Sequence, residues 1–195
     1  MSRVDDLIDN YERFVKLPWP ESIAPPQRVW MAVYTPEEER RLRLHLQAFE
    51  TATHGAGYEW SLIDITSAFE QWMAGHEYRD AYLESPELMQ PELVGFFEQL
   101  VEQTREQLSA STGDKTIVGL LGAGSLFGLG ENVRVSALIE NIQDLIEGRL
   151  LVFFPGEVDG NNYRLLGAKD GWNYLATRIT AEKGCLLYTS PSPRD

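Results

Sequence analysis

Three carboxylates come nearest to a catalytic set. Asp64 is next to last in the run YEWSLIDI, and Glu157 and Asp159 follow the run RLLVFF. Both runs read as strands, so these acids belong near C-terminal strand ends, the edge where open α/β sheets place their sites. Converging there, they would hold magnesium or manganese and activate water for phosphoester hydrolysis. Each acid also has a conformational use. Asp64 or Thr66 suits a helix N-cap, worth about 0.5–2 kcal/mol, and PGEVDGNN is made of turn formers. A metal-dependent nuclease or phosphodiesterase using Asp64, Glu157 and Asp159 is therefore the alternative reading. The residues themselves assign no catalytic group, metal or cofactor.

A second candidate runs from Leu120 to Ile142, LLGAGSLFGLGENVRVSALIENI, with four glycines in nine residues. The dinucleotide fingerprint needs glycines at its first, third and sixth positions; Gly122 and Gly124 fit, but Phe127 takes the last place. A P-loop needs Lys and then Ser or Thr after its final glycine, whereas Leu129 follows Gly128 and Glu131 follows Gly130. Arg134 is the basic group in reach. Small residues that let a loop cross a strand edge describe this stretch better than a phosphate cradle. His45, His54 and His76 form no ligand spacing, and Ser125 sits in no G-x-S-x-G elbow.

The elements that position these groups follow from periodicity. Val4, Leu7, Ile8, Tyr11, Phe14 and Val15 recur at helical spacing behind a Ser2–Asp5 capping pair, which predicts a helix over 3–16. Four prolines from Pro18 to Pro26 make 17–26 a stiff surface connection. RVWMAVY, YEWSLIDI, TIVGLL and RLLVFF predict strands, with YRLL and YLATRIT as short additions. Helices alternate with them. One is opened by Thr35-Pro36 and buried through Leu42, Leu46 and Phe49. A short one turns Phe69, Trp72 and Met73 inward, and a long one carries a stripe from Leu93 to Leu108. A last one turns Val135, Leu138, Ile139 and Ile142 inward, with Gly148 as its left-handed cap. The alternation predicts an α/β three-layer sandwich with a mostly parallel central sheet.

A net charge of -13 over 195 residues sets phosphate repulsion against nonspecific nucleic-acid binding. No run approaches the roughly 18 apolar residues of a membrane span, and MSRVDDLIDN is no secretion signal. A cytoplasmic protein without membrane contact is expected. The tail CLLYTSPSPRD, 185–195, matches one reading frame of the adapter used in transposase-based sequencing libraries and is read as non-native. It contains the sole cysteine, Cys185, so 1–184, read as one domain, offers no thiol for a disulfide, a nucleophile or zinc.

Two blocks carry a family resemblance. The second runs from Val118 and Gly119 through Gly124–Phe127 to Arg134-Val135-Ser136 opening a helix. A strand ending in Phe153–Glu157 and a turn with strand at Asp159–Leu166 complete it. This block is similar to the pattern of BrxB proteins, components of BREX bacteriophage-exclusion systems. FVKLPWPESIAPPQRVWMAVYTPEEERRLR resembles the strand and acidic-to-basic helix near the start of the same family. The loop GLGEN between Phe127 and Val133 is longer and more acidic than the family's proline-aromatic turn.

The resemblance implies a single α/β domain in bacterial antiviral defence, a small non-ATPase component with no assigned catalytic activity. It also implies association with a PglZ-like phosphatase-fold protein and with other components of the system. For such an adaptor, Trp19, between two prolines, and Trp172, between Gly171 and Asn173, are the tryptophans expected at the surface as interface anchors. Arg134, Glu157 and Asn162 complete the expected partner or ligand contacts. An ion pair between Arg134 and Glu157, joining the glycine turn to the FFPGE turn, accounts for those two equally well.

Overall fold

The apolar runs become the strands of one sheet. In the computed structural model, which describes residues 3–168 and 171–182, the strands are β1 (Val29–Tyr34), β2 (Glu59–Asp64), β3 (Thr116–Leu121), β4 (Arg149–Asp159), β5 (Asn162–Leu165), β6 (Trp172–Asn173) and β7 (Thr177–Ile179). The path β2-β3-β4-β1-β7 is parallel throughout. β5 adds to the outer half of β4, and β6 to β5, both antiparallel. The α/β class is as expected; the sheet, expected mostly parallel, is mixed. Ser2 of the capping pair and the tail 185–195 lie outside the described residues.

The helices are α1 (Arg3–Val15), α2 (Glu39–Leu44), α3 (Leu46–Gly55), α4 (Ala68–Ala74), α5 (Arg79–Glu84), α6 (Leu93–Ser111) and α7 (Val135–Ile142). Alternation along the inner strands divides the core in two. Val29, Met31, Val118, Leu120, Leu150 and Val152 pack with α6 and α7, through residues such as Phe96, Leu100, Leu138 and Ile139. Trp30, Ala32, Ile117, Leu151 and Phe153 pack with α1 and α3, through Leu7, Tyr11 and Phe49. Because β4 lies between β1 and β3 and is buried from Arg149 to Gly156, both of its faces must be apolar, hence its unbroken run.

Two expected helix ends differ. Thr35 makes no side-chain cap; Pro36–Glu38 form a 3-10 turn, and the following helix breaks at His45 into α2 and α3. Gly148 is not a left-handed cap, since α7 ends at Ile142 and runs on as a 3-10 turn, Gln143–Leu145. Glycine is needed there for space: a Cβ on Gly148 would stand 2.1 Å from the Thr116 carbonyl oxygen.

The proline-rich connection is held by a buried cation. Arg149, 5% exposed, donates to the carbonyls of Gly148 at 2.8 Å and Pro20 at 3.4 Å, and its guanidinium lies 4.5 Å over the Trp19 ring. Burial, with Arg28 nearby, lowers its pKa to about 10. Trp19 in turn stacks on Tyr58, ring centroids 3.9 Å apart.

Phe153 tests the core. It is fully buried, with Phe49 edge-on at 5.0 Å. Phe153→Ala is expected to cost about 3–5 kcal/mol, read in urea unfolding as a lower midpoint with an unchanged slope.

Candidate functional site

The C-terminal edge of the sheet is closed by the chain's own polar groups. The Tyr34 hydroxyl, at the end of β1, donates to Glu39, and Glu39 accepts from Arg43 Nε at 2.6 Å. Burial, reinforced by the Glu39 carboxylate, raises the Tyr34 hydroxyl well above its ordinary pKa. Arg43 Nη2 donates to Thr66 Oγ1 at 2.8 Å, and Nη1 lies 3.6 Å from Asp64 Oδ2. The backbone N–H of Thr66 donates to Asp64 Oδ1 at 2.9 Å, and its hydroxyl donates to the same oxygen. Asp64 therefore clamps the turn after β2. Neither it nor Thr66 caps α4, whose N-cap position is Ser67.

Gly122 follows β3 at φ 98°, where a Cβ would stand 2.5 Å from the Thr66 nitrogen. Close passage explains this glycine. The chain then winds into a 3-10 turn, Ala123–Leu126, and α7 begins only at Val135. A phosphate cradle would need the helix to start at the glycine turn.

The three carboxylates of the alternative reading are not brought together. Asp64 ends β2 and Glu157 lies on β4, with β3 between them; two strand spacings alone set them about 10 Å apart. Glu157 lines a separate cleft of about 340 Å3 with Tyr34, Gly156 and Thr180. Asp159 is exposed and pairs with Asn162 where β4 turns back into β5. Among the described residues, no group of three or more His, Cys, Asp or Glu is placed to hold a metal ion.

A different cleft, of about 350 Å3, opens between the glycine loop and the β4–β5 hairpin. Leu126, Val133, Val135, Phe154, Tyr163 and Leu165 give it an apolar lining, and Arg134, Ser136 and Asn173 contribute polar groups. Phe127 belongs to it and is 49% exposed. The volume suits a small ligand or a few side chains. No histidine, cysteine or carboxylate is among its described lining residues. The arrangement suits recognition of an apolar group bearing a hydrogen-bond acceptor or a negative charge. Four segments of the second block that carried the resemblance contribute to it: Leu126 and Phe127, Arg134 to Ser136, Phe154, then Tyr163 and Leu165.

The residues expected as partner contacts fall in different places. Arg134, exposed at the N-cap of α7, and Trp172 line this cleft. Glu157 lines the other one, so the expected Arg134–Glu157 ion pair does not form. Asn162 is half-buried, its Oδ1 enclosed without a hydrogen-bond partner. Trp19 and Trp172, expected at the surface, are half-buried because aromatic neighbours enclose them: Tyr58 and Trp30 for Trp19, Tyr163 and Tyr174 for Trp172. The sequence reading missed Arg43 and Thr66 as edge residues and Phe127 as a cleft residue. Glu39 and Arg43 at i,i+4 was the available signal for the first; nothing local marks Phe127 as solvent-facing.

Residues 61–179 match the model of the family described as BREX protein BrxB. The match runs from within β2 to the end of β7 and takes in both sides of the cleft; the block from Phe14 to Arg43 lies outside it. No curated protein and no solved structure matches the chain.

Paired substitutions separate packing from surface. Trp19→Ala should lower stability by about 3 kcal/mol, the low end for loss of a large packed ring because Trp19 is half-buried, whereas Phe127→Ala should stay within about 0.5 kcal/mol. Chemical denaturation of both variants checks the difference, and equal losses would remove Phe127 from the surface set.

Proposed function

The chain belongs to the BrxB family, and from that premise we propose that it is a non-catalytic, protein-binding component of a BREX-type phage-defence system. The family supports a place among BREX components. The adaptor role rests on one observation: segments spread over 124–166 that carry the family pattern line a single apolar cleft with a half-exposed phenylalanine beside it. Exposed aromatic rings beside such hollows are favoured anchors, because association removes apolar area from water at roughly 25 cal/mol per Å2. The PglZ-like phosphatase-fold protein of the same system is the partner proposed first. No helix among the described residues is long and apolar enough to cross a membrane, and the proposal places the complex in the cytoplasm.

Tagged chain co-expressed with the PglZ-like protein and the other components of its system provides the test. A stoichiometric complex surviving gel filtration in moderate salt is expected. Phe127→Ser combined with Arg134→Glu should weaken it at least tenfold. Unchanged binding by the double variant would remove the cleft from the interface. A chain that elutes alone yet cleaves phosphodiesters with manganese would replace the adaptor reading with the enzyme one.

A further inference from the structure

A second surface lies along α6 and shares no residue with the cleft. A shallow groove of about 820 Å3 runs between α6 and the segment closing α7. Its floor is Phe97, Val101 and Leu145, each half-buried and packed on the core beneath. On α6 the lining extends from Phe97 to Ala110, about 20 Å at 1.5 Å per residue. Glu98, Glu102 and Glu106 line it too, all exposed and four residues apart.

Like charges at i,i+4 repel along a helix, and none of these three glutamates is ion-paired within the described residues. Arg105 lines the groove with them, but it is already engaged. It meets Asp144 through two bonds, at 2.7 and 3.1 Å, and also donates to the Asn141 carbonyl. A row of negative charge beside an apolar strip is thus left uncancelled by the chain itself.

We propose that this groove receives an amphipathic α-helix from a partner protein. The helix is about four turns long, seats its apolar stripe on Phe97, Val101 and Leu145, and sets Lys or Arg side chains at i,i+4 against Glu98, Glu102 and Glu106. The acid spacing selects the occupant, since a helix lying alongside α6 repeats its own side chains at the same interval, whereas a strand has period two. A second copy docking through the same face would set acid against acid. Nucleic acid and anionic membrane have the wrong sign. This inference rests on the reading of the chain as a protein-binding component, and it adds a surface defined by charge.

The probe is a fluorescent synthetic peptide of leucine and lysine in amphipathic helical register, about four turns long, titrated with the full chain at low and moderate salt. Micromolar binding that weakens with salt is expected. Joint Glu98→Gln, Glu102→Gln and Glu106→Gln should weaken it at least tenfold, and so should Val101→Gln. An equal change of charge elsewhere, Glu21→Gln, Glu37→Gln and Glu59→Gln, should alter it less than twofold. Equal weakening by both triple variants would reduce the effect to net charge and overturn the proposal. Equal binding of a leucine–glutamate peptide would do the same, as would a dimer of the chain dissolved by Val101→Gln. Should the peptide tests fail while the PglZ-like protein still co-purifies, the groove assignment falls and the adaptor reading stands. Selection by the groove without that co-purification has the reverse meaning.

Discussion

Strand β4 must satisfy two kinds of neighbour in a single run of eleven residues. Its inner half pairs in parallel with β1 on one side and β3 on the other, and its pairing with β3 ends at Val152. Its outer half runs on and pairs antiparallel with β5 from Gly156 to Asp159. Pro155 sits at the changeover. Its carbonyl accepts from the Leu166 N–H at 2.9 Å, so its nitrogen faces that same side, just beyond the last β4–β5 pair, Gly156 with Leu165, where the ladder ends. The continuous apolar run, the two core clusters and the two clefts follow from this strand. Its outer half stands where open α/β sheets leave their crevice, and separates the hollow lined by Glu157 from the hollow lined by Phe127.

What remains of that crevice is crossed by α2. Tyr34, Glu39, Arg43, Thr66 and Asp64 hydrogen-bond one to the next from the end of β1 to the end of β2, spanning two intervening strands. These are the residue types an active site would use, at the edge an active site would occupy. Here each holds another in place, and the Gly122 turn is pressed against Thr66. The apolar hollow has a different character, with a lining contributed by several segments and free of carboxylates among its described residues.

The strands at the centre of the sheet were legible because burial on both faces leaves a local signature: an unbroken apolar run, as in RVWMAVY and RLLVFF. Helix stripes such as Leu93 to Leu108 were legible for the same reason. Strand order was not, because β2 reads like its neighbours until its pairing with β3 alone leaves Leu62 40% exposed at the edge. Gly148 shows the limit most clearly. Its position after a helix imitates a cap, while its cause is a carbonyl on β3 more than thirty residues away. The cleft was half legible. Its segments were recognisable as a family pattern, but their convergence depends on the hairpin folding back, and that is a non-local pairing. Trp19 misled for a related reason: flanking prolines suggest exposure, and Trp30, Tyr58 and Arg149, all further along the chain, half-bury it.

The two candidate surfaces differ in local sign, and this matters more than the total charge. A net charge of -13 repels nucleic acid and anionic lipid over the whole molecule, yet it says nothing about which protein segment docks where. The cleft places Arg134 beside an apolar hollow whose described lining lacks carboxylates, so it favours an apolar group with a negative or accepting end. The α6 groove offers three unpaired glutamates beside an apolar floor and favours the opposite. Like-charge contact is costly in either wrong pairing. Two segments of one partner, or two partners, would thus be sorted between the surfaces by charge before shape is tested.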